Sequence, residues 1–262
     1  MNVNTLFDIA GRTAIVTGGA GKYGKDIVSA FLEAGCRVII ASRNLEKLEK
    51  TKAAFEKQGY GDVACYRLDL AETASIDAFV EKVYQDYGEI DILVNNSVIH
   101  PMEGFNADIS GWEASLQVNA TGVFYLTRAV ANRMLKKGKG SIINIASIYG
   151  VVGPDFTHYV GLDMDQGGDY YQHKAGLINL TRFLAAQYGK DGIRVNCISP
   201  GGRYFKESPQ HPKFIERYNK RTFLGRMADE DDIKGAIVFL ASDASKYVTG
   251  ENIMVDGGYV QK

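Results

Sequence analysis

The chain has 262 residues, 45% of them hydrophobic and 23% charged, and carries a net charge of −1. That length holds one large domain or two small ones, and the composition is that of a globular protein rather than a disordered one. The balanced charge offers no bulk attraction to nucleic acid or a lipid surface, and no apolar run reaches the roughly 18–20 residues needed to span a bilayer.

The chain opens Met-Asn-Val-Asn-Thr-Leu-Phe-Asp, with neither a basic patch nor an apolar signal core. Thr13–Thr17 reads as the first strand, followed by a glycine-rich turn and a helix over Lys25–Ala34 that Gly35 closes. Next come a strand at Arg37–Ser42 and a helix at Asn44–Gln58, with Leu45, Leu48 and Lys52 at helical spacing. Strand Val63–Leu68, helix Ser75–Tyr87, strand Ile90–Asn95 and a long helix Ser110–Lys137 continue the alternation. Strand Ser141–Ala146, helix Tyr170–Tyr188, strand Arg194–Ile198, helix Glu230–Ala241 and strand Asn252–Val255 complete it. The first six strands lack clean polar alternation, as strands covered on both faces do. Strand–helix alternation throughout predicts α/β architecture: one domain over residues 1–262, built on a doubly wound, parallel, seven-stranded sheet with helices on both faces. Two stretches, 151–169 and 203–226, are less regular. Cys36, Cys65 and Cys197 are scattered in apolar contexts with no Cys/His cluster, so they read as buried thiols in a reducing cytoplasm and not as metal ligands.

Between the first strand and first helix, Thr17–Gly24 contains Gly19, Gly21 and Gly24 in a Gly-x-Gly-x-x-Gly pattern. Without Cβ atoms the backbone can turn tightly and approach a pyrophosphate, which the free N–H groups of a helix N-terminus bind. Gly18, Gly19, Gly21, Lys22, Tyr23 and Gly24 are therefore candidate cofactor-binding residues. The second strand ends Ala41-Ser42-Arg43-Asn44. An acid there would bond the ribose 2′-hydroxyl of NAD, whereas an arginine suits the 2′-phosphate of NADP. Ser42 and Arg43 thus favour NADP(H), with NAD(H) still open. Arg43 as a solvated strand-end cation is the plain alternative, and Lys22 could face the phosphate or solvent.

Tyr170 and Lys174 stand four residues apart, on one face of a helix. A nearby cation favours a phenolate and would lower the phenol's pKa, making tyrosine a proton donor and acceptor. Alone the pair is a weak signal, and a half-buried tyrosine beside a solvated lysine is its plainer reading. Ser147 lies 23 positions upstream of Tyr170.

With these motifs in order the chain resembles the short-chain dehydrogenase/reductase family over essentially its full length. Asp69 in Leu68-Asp69-Leu70 matches that family's adenine-contacting aspartate, and Asn95-Asn96 the start of its Asn-Asn-Ala-Gly motif. Asn119, Ser147, Tyr170 and Lys174 match the active-site positions. Ser199-Pro200-Gly201-Gly202 matches the nicotinamide-side loop. Val248-Thr249-Gly250 and Val255-Asp256-Gly257-Gly258 match the C-terminal signature. The resemblance implies a Rossmann fold and hydride transfer between nicotinamide C4 and a carbonyl or secondary alcohol. It implies Asp69, Leu70, Asn96, Tyr170, Lys174, Pro200 and Gly201 as cofactor contacts. Tyr170 would move the proton, Lys174 would lower its pKa and hold the nicotinamide ribose, Ser147 would orient the substrate oxygen, and Asn119 would hold a water. The plain alternatives are a turn cap at Ser147 and a helix-satisfying Asn119.

The chain also departs from the pattern. Lys22 stands where glycine is common, Ser97-Val98 replace Ala-Gly, and Arg203-Tyr204-Phe205 follow Gly202 where a threonine is usual. The gap from Ser147 to Tyr170 is wider than usual. The resulting insertion, 151–169, carries Asp155, His158, Tyr159, Asp163, Asp165 and Asp169. It is a surface loop, or a wall that bonds a hydroxylated substrate through His158, Tyr159, Asp163 and Asp165. The basic stretch 203–226, with Arg203 as a further candidate substrate contact, is a solvated face or a steering surface for an anion. These loops resemble members described as gluconate 5-dehydrogenase-like or as surface-sugar modification enzymes. The leading expectation is an oxidoreductase for a sugar, sugar acid or polyol. The alternatives are a 3-oxoacyl-thioester reductase and a non-catalytic dinucleotide sensor. Apolar residues on more than one face of the helices Ser110–Lys137 and Tyr170–Tyr188 call for a partner surface, and the resemblance implies that they form it in a homodimer or homotetramer.

Overall fold

Seven parallel strands pair in the order β3-β2-β1-β4-β5-β6-β7 in the computed structural model, which describes residues 2–164 and 167–262. They are β1 Thr13–Thr17, β2 Arg37–Ser42, β3 Val63–Arg67, β4 Ile92–Asn95, β5 Gly140–Ile145, β6 Ile193–Pro200 and β7 Asn252–Val255. The chain winds outward from β1 to β3, then crosses back to β4 and winds out the other way. The strand order therefore reverses between β1 and β4, and the crevice beyond the carboxyl ends of the strands at such a point is where open α/β sheets bind ligands.

Helices α1 Val3–Leu6, α2 Lys22–Glu33, α3 Leu45–Glu56, α4 Thr73–Tyr87, α5 Ile109–Leu116, α6 Val123–Lys137, α7 Gly168–Tyr188, α8 Pro212–Arg221 and α9 Lys234–Ala241 surround the sheet. Side chains alternate along each strand, so β1 sends Ala14 and Val16 to one core and Ile15 to the other. Phe31 of α2, Leu48 of α3 and Leu240 of α9 fill the first core; Phe79 of α4, Leu126 of α6 and Leu177 of α7 fill the second. Every residue of β1, β4 and β5 is buried, which explains the missing polar alternation.

The strands fall where the sequence places them, with ends displaced by one or two residues. The helices differ more. Helix α2 begins at Lys22 and so takes in Gly24, a poor helix former on propensity alone. The expected single helix Ser110–Lys137 is broken by a π-helical segment, Gln117–Gly122, that joins α5 to α6 and carries Asn119. Helix α8 lies inside the stretch expected to be irregular, with Pro212 at its start and Phe214 and Tyr218 on its buried face. Its basic residues hid that short apolar pattern. The apolar residues that suggested a second, partner-facing stripe are largely used internally: Val123, Leu126, Val130, Leu177, Ile178 and Leu184 are all buried within this chain, leaving Phe183 exposed and Phe124 and Leu180 half-buried.

Candidate active site

A cleft of about 750 Å³ opens at the carboxyl ends of the strands. Gly18, Gly21, Lys22 and Tyr23 form one wall, while Gly19 and Gly24 lie behind it. A Cβ on Gly19 would sit 2.4 Å from Cγ2 of Ile40, and one on Gly24 would sit 2.1 Å from the Gly18 carbonyl oxygen. The two glycines therefore let α2 pack hard against the sheet and the turn. Gly21 is the N-cap of α2 and offers no side-chain cap, so the first-turn N–H groups keep their capacity for an anion. Tyr23 donates from its hydroxyl to the Gly201 carbonyl at 2.8 Å, tying the turn to the end of β6. Lys22 lies over the Phe205 ring at 4.8 Å while still lining the cleft. These features fit a dinucleotide pyrophosphate.

At one end the cleft is lined by Ser42, Arg43, Asn44, Lys47, Asp69 and Leu70. Arg43 is exposed, and among the described residues no carboxylate lies within ion-pair distance of it. Lys47, one helical turn into α3, adds a second cation that sequence reasoning missed; its place depends on the Asn44 side chain capping α3 through the Lys47 N–H at 2.8 Å. The Asp69 carboxylate accepts from the Ala71 N–H at 3.0 Å, which fixes the loop after β3. Asn96 lines the middle of the cleft and donates from its side chain to the carbonyls of Thr17 at 3.0 Å and Gly18 at 3.1 Å, bracing the glycine turn.

Ser147, Tyr170 and Lys174 converge at the other end, with Pro200 and Gly201 beside them. Ser147 follows β5 and accepts at its hydroxyl from the Tyr149 N–H at 3.1 Å, so it also caps a short turn. Lys174 is buried, and its ammonium donates to the Ile145 carbonyl at 2.7 Å. Burial lowers its pKa to about 8. The expected depression of the Tyr170 phenol is reversed here. Burial pushes the phenol up, with the Ser147 hydroxyl opposing through a hydrogen bond, while the Lys174 ammonium lies 5.5 Å from the ring centroid. Desolvation of the phenolate outweighs a cation directed at a carbonyl. Asn119 does not line the cleft. Its Nδ2 donates to the Ile99 carbonyl and to Ser115 Oγ, both at 2.9 Å, and its Oδ1 accepts from the Ile99 N–H at 3.0 Å.

The rest of the wall around Tyr170 is formed by Tyr149, Tyr159, Met164, Phe214, Tyr218 and Met227, with His100 beside Tyr170. Most of these were not legible as site residues, because α8 and the insertion bring them in from distant parts of the chain. The insertion supplies Tyr159 and Met164 but not the expected row of polar groups. His158 is buried among Phe214, Tyr218 and Tyr259, and burial lowers its pKa. Asp155 caps the following turn through the Thr157 N–H at 3.0 Å, and Asp163 is exposed and outside the cleft lining. Asp165 lies outside the described residues. The hydroxyls of Tyr149 and Tyr159 meet at 3.1 Å.

Arg203 is also turned away from the cleft. Its Nε donates to the Asp26 carboxylate at 2.9 Å and its Nη2 to Glu230 at 3.2 Å, and the guanidinium stacks on Phe205. Four other cations of the basic stretch are similarly engaged, while Lys206 and Lys213 are exposed. Arg217 donates to the carbonyls of His158 and Val160, Lys220 pairs with Glu216, Arg226 with Asp232, and Arg221 stacks on Tyr259. None of these cations lines the cleft; Arg203, Arg217 and Arg221 brace the fold, and Lys206, Lys213, Lys220 and Arg226 form a solvated face.

Comparisons with known proteins give the family. A family model described as enoyl-(acyl carrier protein) reductase matches residues 22–260. The chain is 33% identical to D-threitol dehydrogenase of Mycolicibacterium smegmatis, with 100% of this chain and 98% of the relative covered. It is 35% identical to 3-oxoacyl-(acyl-carrier-protein) reductase of Thermotoga maritima, with 96% and 99% covered. The solved structure of gluconate 5-dehydrogenase from Burkholderia cenocepacia, in complex with NADP and tartrate, matches with a TM-score of 0.87 at 31% identity and full coverage of both chains. A doubly wound sheet with this cleft defines an NAD(P)-dependent oxidoreductase that interconverts alcohols and carbonyls. The chain belongs to the short-chain dehydrogenase/reductase family.

Proposed function

We propose that the protein interconverts a secondary alcohol and a ketone on a polyol, sugar or sugar acid, with NADP(H) as the preferred hydride carrier and NAD(H) as a weaker one. The convergence of Ser147, Tyr170 and Lys174 at one end of a cleft, with the glycine turn and Arg43 toward the other, carries the reading. When bound, NADP(H) supplies or accepts the hydride at nicotinamide C4. Tyr170 gives its phenolic proton to the substrate oxygen in reduction and takes it back in oxidation. Ser147 orients that oxygen and donates to it as charge develops. Lys174, anchored on the Ile145 carbonyl, would hold the nicotinamide ribose and favour the phenolate. Asn119 acts indirectly, by fixing the loop through Ile99. The N-terminus of α2 binds the pyrophosphate, Arg43 and Lys47 hold the 2′-phosphate, and Asp69 faces the adenine.

The substrate class is supported by two relatives, a threitol dehydrogenase and a gluconate dehydrogenase. Hydroxyls of Tyr149, Tyr159 and Tyr218, the Gln210 amide and the imidazole of His100 punctuate a wall that also carries Met164, Phe214 and Met227. Reduction of a 3-oxoacyl thioester is the second reading, favoured by the Thermotoga maritima relative and by Met164, Phe214 and Met227 in the wall. We also place the protein in the cytoplasm as a homodimer or homotetramer, with the exposed Phe183 of α7 in the contact. Turnover of NADP+ and NADPH on a panel of polyols, sugar acids and oxoacyl thioesters tests the reading. Activity confined to the thioesters overturns the polyol assignment.

A further inference from the structure

The chain has four histidines. Three have structural surroundings: His158 in the aromatic cluster, His173 buried with its Nδ1 2.9 Å from the Asp169 carbonyl, and His211 accepting from the Lys213 N–H at the start of α8. His100 differs. It lines the cleft, and its ring centroid lies 4.6 Å from that of Tyr170, tilted by 44°. The backbone at His100 is held from both sides. Ile99, just before it, is gripped through both its N–H and its carbonyl by the Asn119 side chain. Pro101, just after it, disfavours the helical conformation for His100. Asn119 thus fixes an imidazole against the Tyr170 ring. His100 is exposed to the open cleft; the surrounding cleft walls and the Lys174 ammonium hold its imidazole below the ordinary pKa, which favours the neutral ring with one donor and one acceptor.

We propose that His100 is a specificity-determining residue that hydrogen-bonds the substrate hydroxyl on the carbon next to the reacting one. The site then prefers a vicinal diol, or the matching α-hydroxy ketone, over an isolated alcohol. The inference rests on the polyol reading and sharpens it. A substrate oxygen bonded to Tyr170 and Ser147 brings its neighbouring carbon beside the Tyr170 ring, where His100 stands. A hydroxyl is itself both donor and acceptor, which a neutral imidazole matches and a charged side chain does not. Once bound substrate covers the imidazole and displaces water, a monol leaves it without a partner, which is a source of rejection.

The test uses 2,3-butanediol and 2-butanol as probes, oxidised with NADP+ by the wild-type enzyme, His100→Phe and His100→Asn. Phenylalanine keeps a ring against Tyr170 and removes both nitrogens; asparagine restores a donor and an acceptor. The diol-to-monol ratio of kcat/KM should fall by up to about tenfold in His100→Phe, the loss of one hydrogen bond, and recover in part in His100→Asn. NADP+ titration of each variant, followed by fluorescence, checks that the fold and cofactor site persist. An unchanged ratio in His100→Phe overturns the proposal, as does an equal loss on diol and monol, which would make His100 a packing support for Tyr170. A wild-type enzyme with no preference for the diol defeats the polyol reading and this assignment together, and that result is read without any variant.

Discussion

The Lys174 ammonium donates to the carbonyl of Ile145, the last residue of β5, at 2.7 Å, so the cation of the Tyr170–Lys174 pair is anchored to the sheet before it is directed at the phenol. Its burial lowers the lysine pKa to about 8 from an ordinary value of 10.5. Between those two values the unfolded chain binds a proton that the folded cofactor-free protein does not, so this group makes stability rise with pH there. Below pH 8 both states are protonated and the contribution is flat. In unfolding free energies from urea titrations between pH 7 and 10, wild type should gain on Lys174→Met above pH 8 by up to about 1.4 kcal/mol per pH unit. Parallel curves would mean that the lysine is solvated.

Tyr170 should behave as a proton-loaded phenol at neutral pH, because burial raises its pKa. Alcohol oxidation needs a proton acceptor and should climb with pH into the alkaline range, while carbonyl reduction should not. Tyr170→Phe keeps the ring and removes the oxygen. It should cost at least about a hundredfold in kcat in both directions while NADP binding persists. Tyr171→Phe should be mild. Steady-state rates from pH 6 to 9.5 check both statements, and loss of activity in Tyr171→Phe alone would refute the assignment.

Cofactor choice should follow Arg43. Charge-assisted bonds to a phosphate contribute about 1.5–3 kcal/mol, so Arg43→Asp should weaken NADP binding roughly 10- to 100-fold and spare NAD. Lys47→Ala should act in the same direction and more weakly, since an ammonium makes no bidentate contact. Calorimetric titration with both dinucleotides decides; equal wild-type affinity for the two would sink the preference.

Arg203 should matter for stability and not for substrate ranking. It and Asp26 are about one-tenth exposed, and burial raises the Asp26 carboxyl even with the guanidinium beside it. Arg203→Met leaves that carboxyl buried and unpaired and should lower stability by about 3 kcal/mol. Adding Asp26→Asn should recover part of the loss. A change in substrate preference without a change in the thermal midpoint would return Arg203 to the substrate site.

Replacing residues 154–164 with a short turn should remove Tyr159 and Met164 from the cleft wall. It also removes the His158 and Val160 carbonyls that hold Arg217 of α8. Substrate KM should rise by at least about tenfold while NADP affinity changes little. Full activity with unchanged substrate ranking would make the insertion surface decoration.

The sheet and the cofactor half of the cleft were legible in the sequence because their causes are local. Strand–helix alternation, Gly19 and Gly24 at close approaches, Arg43 at a strand end and Tyr170 one helical turn before Lys174 all follow from neighbours along the chain. Sequence alone did not show where side chains go when distant segments compete for them. His158 and Arg203 look like substrate contacts in one dimension, yet an aromatic cluster captures the first and Asp26 the second, 177 positions away. Asn119 marks an active-site motif but bonds a loop backbone, and His100 has no motif at all until that loop presses it against Tyr170. The direction of the Tyr170 pKa likewise depends on how deeply the fold desolvates the phenol and which carbonyl the lysine reaches first. Both are set by tertiary packing and not by spacing.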